Sequence, residues 1–469
     1  MTTLHLHEIS RSRHQLALSF AFGDLRFATT VWYGDADLLE LEQTHGRESM
    51  DRIYFHIAAA EMMAVISLRP DRVDFGEYSR YVTDRFAALW TTLFDKIWAQ
   101  WRYENDLPDY RGPALSASTD SDGAKANPLA IPPGQPGAPD VLCFCGGGKD
   151  SLAAMALLES GDIPYDAYVY THTVYGAHPP QRAIIAQLLE RCAPRAVRKT
   201  WVQDELLSAP VLELYPELGI TTLCAAETPC SIFAALPVAL ARGYRYLVLA
   251  HERSADTGQM VWDKTGEDIN HQWGKSLDAE VLLNGYVNDE LVSGLGYFSL
   301  LKPIYDVLIC NLLAEHLDAV PATHSCNIAK PWCQRCPKCA YVWLHYMAWL
   351  PHDVVTPMFS ENLFDLDENQ LTYRQLLGLE DRLPFECIGQ VGEVRLAFEV
   401  CRRRGVRGRA MDIFLAEVGP ISGSDFTALV DHYLTIAPEQ GALPGRFAEV
   451  ILPQLAAIAE RTRERLLAT

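Results

Sequence analysis

The sequence predicts an α/β protein built on a doubly wound parallel sheet. Strands and helices alternate from Val141 to Ala250, the pattern of a sheet covered by helices on both faces. A glycine-rich turn, Cys145 to Ser151, joins the first of those strands to its helix. The 469 residues are 49% hydrophobic and 21% charged, which suits a globular chain of two or three domains with a sizeable core.

The N-terminal region, 1–112, reads as α+β. Met1 to His14 alternates polar and apolar residues and has no apolar leader segment, so a cytoplasmic location is expected. Leu16 to Tyr33 is strand-like, with turn residues at Gly23 and Asp24. Asp84 to Trp101 spaces Phe86, Leu89, Trp90, Leu93, Phe94, Ile97 and Trp101 as a helix does, and a packed core face explains these aromatics better than a cofactor cradle. A Pro-, Gly- and Ser-rich stretch, 113–139, follows as a linker.

The region 140–350 holds the alternation. Strands are expected at Val141–Cys145, Tyr165–His172, Ala196–Val202 and Tyr244–Ala250, and helices at Ser151–Ser160, Gln181–Cys192 and Ser231–Ala241. The most apolar stretch, Leu223 to Ala241, is broken by Glu227, Pro229 and Pro237, so it reads as core rather than a membrane span. From about Thr372 the chain is helical, in a C-terminal region 351–469. Its Arg402–Arg409 cluster suits either a salt-bridged helix face or an anion site.

Forty basic residues against sixty acidic ones leave a net charge of −20, which disfavours nucleic acid as a partner. Four of the twelve cysteines, Cys326, Cys333, Cys336 and Cys339, are spaced for tetrahedral thiolate coordination of a structural zinc. An iron–sulfur cluster or buried thiols are the alternatives. His324 is a further possible ligand beside them.

At the glycine-rich turn, free backbone amides, the helix N-terminus and the Ser151 hydroxyl suit phosphate oxygens. Lys149 would neutralise their charge. The Walker pattern does not fit. The run Gly146-Gly147-Gly148-Lys149-Asp150-Ser151 instead resembles the Ser-Gly-Gly-x-Asp-Ser signature of PP-loop ATP pyrophosphatases, with a HUP-like sheet implied. On that resemblance Gly147, Gly148, Asp150 and Ser151 cradle pyrophosphate and Lys149 takes the variable position, while Gly146 replaces the usual serine. Adenine would dock near Tyr170, Thr171 and His172. The cysteine cluster is similar to the zinc knuckle of 7-cyano-7-deazaguanine synthases.

Two polar runs, His251 to Gly258 and Asn270 to Ser276, are dense in functional side chains, and the first follows the Tyr244–Ala250 strand. Glu252, Asp256 and Asp150 are the carboxylates for Mg²⁺, and Arg253 and Lys275 the cations for an anionic substrate. The whole layout resembles the UDP-N-acetyl-α-D-muramoyl-L-alanyl-L-glutamate epimerases of peptidoglycan-precursor synthesis. The resemblance implies that ATP adenylates the glutamate carboxylate, which acidifies the α-proton for removal and return on the other face. His251, His271, Glu252 and Glu227 are the proton-transfer candidates, with Asp150 at the phosphates and Cys224 and Cys230 weaker. The rival readings are another PP-loop enzyme, such as a 7-cyano-7-deazaguanine synthase-like ligase, and a non-catalytic nucleotide-binding regulator.

Overall fold

A computed structural model describes residues 2–116 and 127–468. The middle of the expected linker, 117–126, lies outside the described residues. The N-terminal region opens with a meander of β1 (Thr3–Arg11), β2 (Gln15–Phe22) and β3 (Leu25–Tyr33). Gly23 and Asp24 form the β2–β3 turn, with Phe22 paired to Leu25. Gly23 supplies the left-handed conformation the turn requires, at φ 59°. There follow helix α1 (Arg47–Met62), the short strand β4 (Arg72–Asp74), helix α2 (Asp84–Ile97) and the short strand β5 (Ala114–Leu115). The Thr83 hydroxyl caps α2 by accepting from the Phe86 amide, and Phe86, Leu89, Trp90, Leu93 and Phe94 are buried. The aromatic stripe is core.

The alternating region supplies β6 (Val141–Phe144), α3 (Lys149–Ser160), β7 (Asp166–His172), α4 (His178–Leu189), β8 (Val197–Asp204), α5 (Glu227–Arg242), β9 (Tyr246–Leu249) and β10 (Gly296–Ser299). Strand β10 was not expected from the sequence. After it come α6 (Asp306–Leu313) and α7 (Pro337–Trp349), and the C-terminal region contributes α8 (Val391–Arg403) and α9 (Gly445–Leu467) among others.

These ten strands form one sheet in the order β10-β9-β6-β7-β8-β3-β2-β1-β4-β5. From β10 to β8 every pairing is parallel. The β8–β3 pairing is antiparallel, with Trp201 opposite Trp32, so the N-terminal meander extends the same sheet. The sheet is therefore large and mostly parallel, with an antiparallel segment in its N-terminal half.

Each parallel strand feeds two cores. Val141, Cys143, Val169, Val248 and Phe298 pack with α3, α6, α7, α8 and α9, while Leu142, Tyr168, Leu247, Leu249 and Tyr297 pack with α1, α2 and α5. That alternation follows from the two-residue period of a strand. The chain runs outward from β6 to β8, then returns past β6 to β9 and β10. Between β6 and β9 the strand order reverses, and ligands of such sheets bind beyond the carboxyl ends at that point. Among the described residues no single helix is long and apolar enough to cross a membrane.

Candidate active site

The carboxyl end of β6 runs into the glycine-rich turn, and α3 begins at Lys149 with Gly148 as its N-cap. Gly147 has φ 84°, and a Cβ there would lie 2.4 Å from His324 Nε2. Glycine is thus required twice over, by conformation and by space. The Gly146 amide donates to Ser151 Oγ at 3.1 Å, which fixes that hydroxyl at the mouth of the turn. Gly146, Gly148, Asp150 and Ser151 line a cavity of about 580 Å³.

Lys149 does not line it. Its side chain is 1% exposed, and its ammonium donates to Asp150 Oδ1 at 2.5 Å and to Asp306. Burial alone would discharge this lysine, but Asp150 and Asp306 hold it charged, well above the ordinary range. Asp306 also accepts from the Tyr341 hydroxyl at 2.7 Å. Lys149 therefore anchors the turn to α6 and α7.

From the carboxyl end of β9 comes His251, which lines the cavity, as do His271, Lys275 and Glu227. Burial, then Lys275 and Lys302, lower the His251 pKa far enough to keep the ring neutral. Lys275 Nζ donates to Cys387 Sγ at 2.9 Å. His271 Nδ1 lies 2.6 Å from Gln100 Oε1. Glu227 accepts from the Tyr175 hydroxyl, and both residues line the cavity.

The other candidates lie outside that lining. Glu252 is buried, and its carbonyl accepts from Lys302 Nζ at 2.9 Å. Burial, then Asp306, raises the Glu252 carboxyl to about 7. Asp256 is engaged by Lys302 Nζ at 3.1 Å and by the Leu277 amide at 2.7 Å. The Arg253 guanidinium sits over the Tyr305 ring, 4.8 Å from its centroid. Thr171 and His172 are buried, with Thr171 Oγ1 3.0 Å from His178 Nδ1 and His172 Nε2 3.4 Å from Glu61. Their neighbours Tyr170, Val174, Tyr175 and Gln181 line the cavity instead.

Cys326, Cys333, Cys336 and Cys339 bring their sulfurs within 4.8 Å of one another. The amides of Ala329 and Cys333 donate to Cys326 Sγ at 3.4 and 3.3 Å, and the Cys339 amide donates to Cys336 Sγ at 3.4 Å. Four convergent thiols with amide donors fit a tetrahedral metal site. Its flanks reach the cavity: His324, Ser325, Lys330 and Lys338 line it, and the His324 amide donates to the Gly147 carbonyl at 2.9 Å.

Cys387, Lys330 and Lys338 carry no motif that marks them as site residues. Cys387 lies in an irregular segment between helices and acquires meaning only from Lys275, which is remote in sequence. His271, Glu386 and Cys387 also bring ligand atoms within 4.8 Å, but the Lys275 ammonium already supplies that sulfur's counter-charge. Three residues of the arginine cluster serve structural contacts. Arg402 and Arg403 pair with the buried Glu399, and Arg404 donates to the carbonyls of Met347, Ala348 and Leu350 at the end of α7.

The family described as MurL N-terminal domain matches residues 228–300, and that described as MurL C-terminal domain matches 321–416. Three curated relatives are named UDP-N-acetyl-alpha-D-muramoyl-L-alanyl-L-glutamate epimerase. The Micromonospora protein is 28% identical over 330 residues, 67% of each chain. That of Salinispora tropica is 30% identical over 332 residues, 67% of this chain and 65% of its own. The Xanthomonas oryzae protein is 29% identical over 276 residues, 56% of this chain and 57% of its own. The chain thus spans about two thirds or less of the length of these relatives. No solved structure matches it. The matched segments contain His251, His271 and Lys275 on one side and the four cysteines and Cys387 on the other, and over these segments the chain is similar to the MurL family and to proteins named UDP-N-acetyl-alpha-D-muramoyl-L-alanyl-L-glutamate epimerase.

Proposed function

We propose that this chain inverts the α-carbon of the terminal L-glutamate of UDP-MurNAc-L-Ala-L-Glu, cleaving ATP to AMP and pyrophosphate, in the synthesis of peptidoglycan precursors. The names of its relatives support the epimerase reading. One observation carries the ATP half. The glycine turn, the α3 N-terminus and the Ser151 hydroxyl share a cavity with Lys275, Lys330 and Lys338, at the point where strand order reverses. Such a turn binds phosphate oxygens through its amides and the helix dipole, as in the PP-loop fold.

Asp150 is the lining carboxylate of the turn and would hold Mg²⁺, which offsets phosphate charge. Glu252 and Asp256 do not line the cavity, and the Asp256 carboxylate is engaged by Lys302. The four thiols would hold zinc, which closes the fold.

In the proposed reaction the glutamate carboxylate attacks the α-phosphorus and displaces pyrophosphate. The resulting acyl-adenylate lacks the carboxylate charge, so its α-proton is acidic enough for a side chain to remove. The three lysines gather an anionic substrate into a chain whose net charge is −20. His251, held neutral, lines the cavity, and among the described residues its Nδ1 has no partner, which makes it one candidate proton-transfer group. Reprotonation on the other face and hydrolysis complete the turnover.

The test is incubation with ATP, Mg²⁺ and UDP-MurNAc-L-Ala-L-Glu, then chiral analysis of the glutamate and assay of pyrophosphate. D-Glutamate with stoichiometric pyrophosphate is expected. Unchanged L-glutamate overturns the reading.

A further inference from the structure

Cys387 stands in the cavity wall among cations. Lys275 Nζ lies 2.9 Å from its sulfur, and His271 offers a ring nitrogen within 4.8 Å of it. Lys338 Nζ donates to the Cys387 carbonyl and so ties the segment to α7. All four residues line the same cavity. A structural cysteine packs among apolar side chains and needs no ammonium against its sulfur. Here burial alone would raise the thiol, but Lys275, then His271 and Lys338, bring it down to about 6.

A second, independent feature shows that a polar ligand belongs in this cavity. His324 is 4% exposed and lines it, yet among the described residues neither of its ring nitrogens has a partner. Buried polar atoms are ordinarily satisfied, so this ring awaits a ligand's polar group. The phosphate turn and the thiol therefore face one ligand space.

We propose that Cys387 is a proton-transfer group of this site, exchanging the α-proton of an acyl-activated amino acid, with Lys275 as the residue that holds its thiolate. The inference rests on the epimerase reading above. In the step, the α C–H bond breaks and its electron pair moves into the activated acyl group. The proton passes to sulfur as S–H forms. A second donor in the wall, such as the Tyr175–Glu227 pair, returns a proton to the opposite face and is reprotonated by water, to which the thiol proton is lost. No oxidant or reductant is consumed. A thiolate suits the task because its pKa lies near the working pH, where transfer in either direction is fast.

Cys387→Ala and Cys387→Ser are compared with wild type in D₂O, with ATP, Mg²⁺ and each glutamate epimer of UDP-MurNAc-L-Ala-Glu. Formation of the other epimer is expected to fall by roughly a hundredfold or more, while ATP-dependent pyrophosphate release falls less than about tenfold. Deuterium should still enter the α-position from one epimer only, because the second group remains. Normal epimerisation by the variants overturns the proposal. So does parallel loss of pyrophosphate release and of exchange from both epimers, since that marks a structural role. Should neither variant fold, or should wild type itself form no D-glutamate, iodoacetamide at pH 7 carries the test. Cys387 should be alkylated ahead of the other cysteines, and UDP-MurNAc-L-Ala-L-Glu with ATP should protect it. Slow or unprotected alkylation of Cys387 overturns the proposal. Wild type without D-glutamate counts against the epimerase reading separately.

Discussion

The His324 ring lies against Gly147 so closely that a Cβ on the glycine would fall 2.4 Å from Nε2, while the His324 amide donates to the Gly147 carbonyl at 2.9 Å. The glycine-rich turn and the cysteine knuckle are thereby held as one unit. Gly147→Ala should break it, because alanine meets both a left-handed φ and an occupied volume. We expect a loss of about 2 kcal/mol or more, read as a lower denaturation midpoint at constant slope. An unshifted midpoint would show that His324 yields freely.

Asp150→Ala and Ser151→Ala test the turn itself. Both side chains line the cavity, and Ser151 accepts from the Gly146 amide. Each should cut pyrophosphate release by on the order of a hundredfold, with the melting temperature little changed by Ser151→Ala and lowered by Asp150→Ala, which also removes a partner of the buried Lys149 ammonium. Release at the wild-type rate from both would remove the phosphate role of the turn.

The cysteine knuckle should contribute folding free energy. Elemental analysis is expected to find about one zinc per chain, and Cys336→Ser or strong chelation should lower the melting temperature. Because Lys330 and Lys338 flank the cluster and line the cavity, substrate affinity should weaken in the chelated protein while it remains folded. Metal-free protein of full stability would leave the four thiols as core residues.

Stability should fall as pH rises from about 5 to 8. Burial, then Asp306, raises the Glu393 carboxyl to about 8, although the Val307 amide and Ser254 hydroxyl donate to it. In this window the folded state keeps the proton and the unfolded chain, titrating near 4.5, does not. One such group costs up to about 1.4 kcal/mol per pH unit. Glu393→Gln should flatten the dependence, as denaturation at pH 6 and pH 8 would show. Equal slopes in variant and wild type would mean that Glu393 is ionised throughout.

Arg404→Ala should destabilise without touching the chemistry. Its guanidinium serves three carbonyls at the end of α7, and losing it strands partly buried acceptors at about 2 kcal/mol. Turnover per folded molecule should be unchanged. A selective rise in KM would instead give the arginine cluster an anion-binding role.

The strands β6 to β9 were legible because buried parallel strands read as short apolar runs between turn residues. The helix after the phosphate turn begins two residues before its expected start, since Lys149 looks like a loop cation until Asp306 is seen beneath it. Side-chain direction was not legible. Thr171 and His172 are at the expected strand end but turn into the protein, and Arg253 follows β9 yet lies over Tyr305. Cys387 was invisible for a different reason. A thiol is distinguished by its neighbours, and its neighbour Lys275 is fixed only by the tertiary fold.

The site is assembled from chain segments made at very different times. The phosphate turn ends at Ser151, whereas the thiol facing the same cavity is residue 387. Synthesis at roughly 5–20 residues per second separates the two by on the order of tens of seconds. When Cys387 is made, the face of β6 that carries Val141 and Cys143 still lacks α8 and α9. A nascent chain therefore carries an uncovered apolar face and an incomplete pocket together.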